Sequence, residues 1–133
     1  MGEILVRCSN EHTNLWFHLG MQIATDHLSP DFRSDGRQTL LLSPDEPWGK
    51  LTRLGTGVVA RVVCIPGVVS LWARPDYFDL EVKSEDVWHR VLPAVVQIIR
   101  EEARDPKAVV KLHPQGGTMA GYWHADLLKE LFG

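Results

Sequence analysis

Between Ile65 and Ile99 the chain reads IPGVVSLWARPDYFDLEVKSEDVWHRVLPAVVQII, and this stretch leaves little freedom in how the rest can fold. Arg74-Pro75-Asp76-Tyr77 is a turn, because proline presets φ for the second position and aspartate can bond the backbone ahead of it. Closing the chain there sets Ala73 against Phe78, Leu71 against Leu80 and Val69 against Val82, all apolar and all on one face. The other face collects Trp72 with Asp79, Ser70 with Glu81 and Val68 with Lys83. A one-residue slip would bury Asp79 and Glu81 among the leucines, so the pattern fixes the register. One apolar and one polar face describes a sheet covered on one side only.

The cover follows directly. Ser84 is a predicted N-cap, with Glu85 and Asp86 where the helix dipole favours acids. Val87, Trp88, Val91, Leu92, Val95, Ile98 and Ile99 then recur at helical spacing. Pro93 removes one backbone bond and crowds the carbonyl of His89, which predicts a kink or break near Leu92. The helix should stop before Asp105-Pro106.

Upstream, alternation at Ile4, Val6 and Cys8 and again at Leu15, Phe17 and Leu19 predicts two strands joined as a hairpin. Residues 21–37 lose the pattern and read as a loop; Gln38–Leu42 reads as a third strand. Ser43-Pro44-Asp45-Glu46 has the chemistry of a helix start, followed by a short turn over 45–54. A compact helix is expected from about Thr56 to Cys64, buried through Val58, Val59, Val62 and Val63. After Pro106, alternation from Ala108 to Leu112 predicts an edge strand and Pro114-Gln115-Gly116-Gly117 a turn. Trp123, Leu127, Leu128, Leu131 and Phe132 then mark a final amphipathic helix. The fold class expected is α+β: a two-layer sandwich with a mostly antiparallel sheet of four or five strands and helices on one face. Residues 1–106 form the domain, and 107–133 are an extension packing on it or on a partner protomer.

Composition narrows the function. At 133 residues the chain is one domain, large enough to hold a core without disulfides. A formal charge of −3 and the lack of any Lys/Arg run argue against nucleic acid. The longest apolar run is broken by Arg61, Pro66 and Gly67, so no membrane span is expected. Two distant cysteines with no CxxC suit the cytoplasm.

Few residues carry chemistry. Cys8 and Cys64 are candidate metal ligands, but two thiolates are too few and core positions explain both. The six histidines show no metal-binding spacing. Gly55-Thr56-Gly57 lacks a phosphate-loop lysine and reads as a turn. The aromatic residues say more. Trp16 and Trp72 fall on strand positions facing away from the core, with His18 and Asp79 beside them. Either these four form a partner-binding patch, or the tail helix folds over the indoles through Trp123, Leu127 and Leu131. A tail exchanged between protomers would make a homodimer.

The run Val62-Val63-Cys64-Ile65-Pro66-Gly67-Val68, the hairpin with Asp76-Tyr77-Phe78 and Val82-Lys83, and Trp88 with Leu92-Pro93-Ala94-Val95 resemble the N-terminal domain of Nfu/NifU-type iron–sulfur scaffold proteins. Leu15–Gly20 is similar to an early strand of that family, and Ser43–Glu46 to its pre-helix segment. The likeness spans roughly residues 10–104, with Ile65, Pro66, Gly67, Val68, Trp88 and Pro93 as its structural positions. The family's lead-in is replaced by Asn10-Glu11-His12-Thr13-Asn14, and a strand lysine by Trp16. The cluster-carrying CxxC of those scaffolds belongs to a separate domain with no match here. The resemblance therefore implies a non-enzymatic accessory domain meeting iron–sulfur assembly or client proteins, with iron or a cluster entering only by association. A small ligand-binding domain or enzyme, with a pocket built from loop 21–37 and the tail, is the alternative.

Overall fold

The computed structural model describes residues 2–25, 31–34, 40–41, 51–114 and 123–133. The helix start at Ser43–Glu46 lies outside these residues, as does most of the turn after Pro114. The strands are β1 (Glu3–Cys8), β2 (Asn14–His18), β3 (Asp31–Ser34), β4 (Leu40–Leu41), β5 (Val68–Ala73), β6 (Tyr77–Val82) and β7 (Val109–Leu112). Among the described residues the helices are α1 (Arg53–Val62), α2 (Trp88–Glu102) and α3 (Ala125–Phe132). All seven strands join one sheet in the order β4-β3-β5-β6-β2-β1-β7. Every pairing is antiparallel except that of β1 with β7. The fold is the expected α+β two-layer sandwich, with a wider sheet than the alternation alone suggested.

One strand of the sheet lies where none was expected. Asp31–Ser34, inside the segment read as a loop, pairs with β5 and sets Asp31 opposite Trp72. Of this strand Phe32 is buried in the core, and one apolar side chain in four leaves too short a pattern to see. Of Gln38–Leu42 the described residues, Leu40–Leu41, form β4.

The central hairpin keeps Ala73 opposite Phe78, Leu71 opposite Leu80, Trp72 opposite Asp79 and Ser70 opposite Glu81. It departs from expectation at its open end. Val68, not Val69, pairs with Val82, because a bulge takes up one residue between Val68 and Ser70. Val68 is therefore buried and Val69 is 37% exposed, the reverse of a strict alternation. The bulge follows Gly67, whose φ of +100° favours a residue without Cβ, and the Gly67 carbonyl accepts from the Lys83 amide.

α1 begins earlier than expected, at Arg53, because Thr52 supplies the cap: its hydroxyl oxygen accepts from the Gly55 amide. α2 runs through Pro93 without a break. A 3-10 turn over Glu85–Val87 precedes it, so the ring falls within the second turn of α2 and costs only the bond to His89. Trp88 is fully buried and its indole N–H donates to the His12 carbonyl at 2.8 Å, fastening α2 to the β1–β2 connection. The end of α2 is a Schellman motif, with Arg104 at φ 56° and the Arg104 and Asp105 amides bonded to the Glu101 and Arg100 carbonyls.

Ile4, Val6, Leu15, Phe17, Leu71, Phe78 and Leu80 from the sheet meet Val58, Val62, Val91, Leu92, Val95 and Ile99 from the helices in one core. The tail joins this same layer. α3 contacts β7 and α2, Leu128 is buried, and His124 is bonded through Nε2 to the Val6 carbonyl at 2.9 Å.

Candidate functional site on the open sheet face

The helical layer leaves the other sheet face uncovered by any described helix, and register alone determines what stands on it. Trp72 lies opposite Asp79, Asp79 opposite Trp16, and Trp16 opposite Arg7. Four strands thus carry one cross-strand row: Trp72, Asp79, Trp16, Arg7. The described helix of the tail does not cover these indoles. Trp123 instead stacks on His12 at 4.5 Å and donates its indole N–H to the Ser9 carbonyl. The expectation that Trp123, Leu127 and Leu131 close over Trp16 and Trp72 fails because β7 pairs parallel to β1 and brings α3 back on the helical side.

Trp72 is 40% exposed and Trp16 half-buried. With Asp79, Glu81, Asn14 and Glu11 they line a shallow depression of about 460 Å³. The Asp79 carboxylate accepts from the Asn14 amide at 3.2 Å, and the Glu81 carboxylate from the Ser70 hydroxyl at 3.0 Å. Burial pushes the Asp79 carboxyl up; the Asn14 amide and the nearby Trp16 N–H oppose this, while the Glu81 charge adds to it. The Trp16 Nε1 itself is buried and lies near Asp79 without reaching hydrogen-bond geometry.

Beyond Trp16 the face becomes a stack of planar groups. The Arg7 guanidinium lies 3.6 Å from the Trp16 ring centroid, a cation–π contact. Tyr77 stacks on His18 at 4.7 Å, and His18 meets His113 at 4.2 Å. Burial, with the charges of His113 and Arg7, holds His18 down at about 4, so it is neutral at pH 7.

All four residues expected to form a patch, Trp16, His18, Trp72 and Asp79, share this face. Arg7, Asn14, Tyr77 and His113 complete it and were not singled out from the sequence. Arg7 alternates with Val6 and Cys8, which places it on the right face, but only the β1–β2 register sets it beneath Trp16. Ile65, Gly67, Val68, Trp88 and Pro93 serve the fold instead: the first three launch the hairpin, and the other two lie within α2.

The cysteines do not fit an iron–sulfur cluster, which takes about four thiolates. Cys8 is buried in the core, where desolvation pushes its thiol up. Cys64 is half-buried, lies past the end of α1 and donates Sγ–H to the Ala60 carbonyl. Arg61, the cation on the same helix, is engaged with Glu101 and Glu102. Among the described residues no three His, Cys, Asp or Glu side chains are placed to hold a metal ion. β3, in the segment 21–37, and β7, in the tail, stand five strand spacings, about 24 Å, apart. No helix among the described residues is long and apolar enough to cross a membrane.

No protein-family model matches the chain, and no curated protein matches it. Among solved structures it is similar to protein SAV1430 from Staphylococcus aureus, with a TM-score of 0.51 and 13% identity over 72% of this chain and 96% of that one. A likeness at that identity speaks for the fold alone.

Proposed function

We propose that this chain is a non-enzymatic accessory domain that docks proteins on its open sheet face. Following the resemblance of its central segments to the N-terminal module of Nfu/NifU-type scaffolds, the partners are iron–sulfur assembly or client proteins. The observation that carries the docking reading is the row Trp72, Asp79, Trp16: two indoles on a sheet face that no described helix covers. Tryptophans on such a face are costly to leave in water and are the residues that dominate protein interfaces. The depression they line is too open to enclose a small substrate, which favours a surface role over catalysis.

The test is affinity capture with purified iron–sulfur scaffold and client proteins, comparing the wild type with a Trp16→Ala, Trp72→Ala variant. Retention by the wild type and its loss in the variant is the expected result. Equal retention by both removes the open face from the account.

A further inference from the structure

We propose that the depression between Trp16 and Trp72 receives one arginine side chain of a partner protein, its guanidinium seated by the indoles and its charge met by Asp79 and Glu81. This rests on the docking reading above and adds the chemistry that selects the partner. Three observations lead to it.

The first is spacing. Trp16 and Trp72 stand on β2 and β5, either side of β6, so their backbones are two strand spacings, about 10 Å, apart. Asp79 forms the floor between them. A planar group in van der Waals contact on both sides occupies about 7 Å. Backbones set that far apart admit a flat group between the side chains they carry.

The second is charge. Glu11, Asp79 and Glu81 line the depression, and among the described residues no Lys, Arg or His side chain lines it. The hydrogen-bond partners found for Asp79 and Glu81 among the described residues, Asn14 and Ser70, are neutral, and Arg7 is the cation whose charge reaches Asp79. Carboxylates beside aromatic rings are the complement of a guanidinium, which pairs in its plane and stacks on its face. Lysine, a strongly hydrated point charge, gains less from the indoles. An aromatic platform on an open sheet also suits single-stranded nucleic acid, but a phosphate chain would here meet three carboxylates.

The third is precedent within the molecule. The Arg7 guanidinium already lies 3.6 Å from the Trp16 ring centroid, so the same pairing of groups recurs one strand away. Arg7 is fixed in β1 on the far side of Trp16 from Asp79 and leaves the depression itself acidic.

The experiment follows the indole N–H signals of the five tryptophans in 1H–15N spectra of the intact chain. The probes are the amidated peptide Gly-Ser-Arg-Ser-Gly, the same peptide with neutral, isosteric citrulline, and an oligothymidylate. The arginine peptide should move the Trp16 and Trp72 signals and leave that of buried Trp88 in place. An Asp79→Asn, Glu81→Gln variant with an unchanged Trp88 signal should bind about tenfold more weakly. Equal shifts from the citrulline peptide, no shift at millimolar arginine peptide, or a shift from the oligothymidylate alone each overturn the proposal. The two readings also separate in the capture assay. If the carboxylate variant keeps partners that the Trp16→Ala, Trp72→Ala variant loses, the docking face stands and the arginine receptor falls.

Discussion

The Cα of Gly55 faces the carbonyl oxygen of Ile23 so closely that a Cβ would overlap it. The contact exists because that carbonyl also accepts from the Thr52 amide, drawing the first turn of α1 onto the chain that follows β2. Gly57, one half-turn on, faces only the end of the Glu102 side chain. Alanine should favour either helix position by about 1 kcal/mol on propensity alone. At Gly55 the backbone clash should outweigh this, so Gly55→Ala is expected to lose roughly 1–3 kcal/mol. Gly57→Ala should be near neutral, since Glu102 can swing away from Arg61. Urea unfolding of the two variants checks the contrast, and equal losses would contradict it.

His18 predicts a pH dependence. Folding holds it at about 4, below its ordinary 6.5, so between these values the unfolded chain binds a proton that the folded chain does not. Stability present above pH 6.5 should therefore be lost as pH falls towards about 4. His113 and His124, both lowered by burial, act in the same direction. A His18→Gln variant should show a flatter fall in urea midpoint across this window; an unchanged slope would remove His18 as its source.

Asp79 has the opposite sense. Its carboxyl is raised by burial, so ionisation favours the unfolded chain as pH rises from acid to neutral. Asp79→Asn retains an oxygen to accept from Asn14 and should raise the melting temperature at pH 7. The gain should shrink as both states become protonated in acid. A variant less stable than wild type at pH 7 would show that the carboxylate is better paired than its surroundings indicate.

Arg104 closes α2 in the left-handed region, a conformation that costs a side chain about 1–2 kcal/mol. Its side chain is exposed. Arg104→Gly should relieve that strain, less the extra freedom gained by the unfolded chain, for a net stabilisation of roughly 0.5–1 kcal/mol. Thermal unfolding measures it, and a destabilised variant would mean that the Arg104 side chain makes contacts worth more than the strain.

The parts of this architecture legible in the sequence are those set by local periodicity. Leu71, Ala73, Phe78 and Leu80 gave the hairpin register, and with it the pairing of Trp72 with Asp79. The side on which Trp16 lies followed from Leu15 and Phe17. What alternation could not reveal is which strands become neighbours: that β2 adds to β6, placing Trp16 across Asp79 from Trp72, is a long-range choice. The Val68–Ser70 bulge was hidden for another reason, since two adjacent valines read equally well in either phase. The tail's destination depended on the parallel pairing of β7, to which a four-residue strand contributes no signal of direction. Asp31–Ser34 escaped because an edge-region strand with a single apolar residue resembles a polar turn.

That parallel pairing has a kinetic corollary. The outer edge of β1 is closed by a strand more than a hundred residues downstream. At about 5–20 residues per second, a ribosome delivers the second roughly 5–20 s after the first. Throughout that interval one row of amides and carbonyls on β1 has no native mate, and any neighbouring nascent chain is a competitor for it. Slower translation lengthens the time for which that edge stays open.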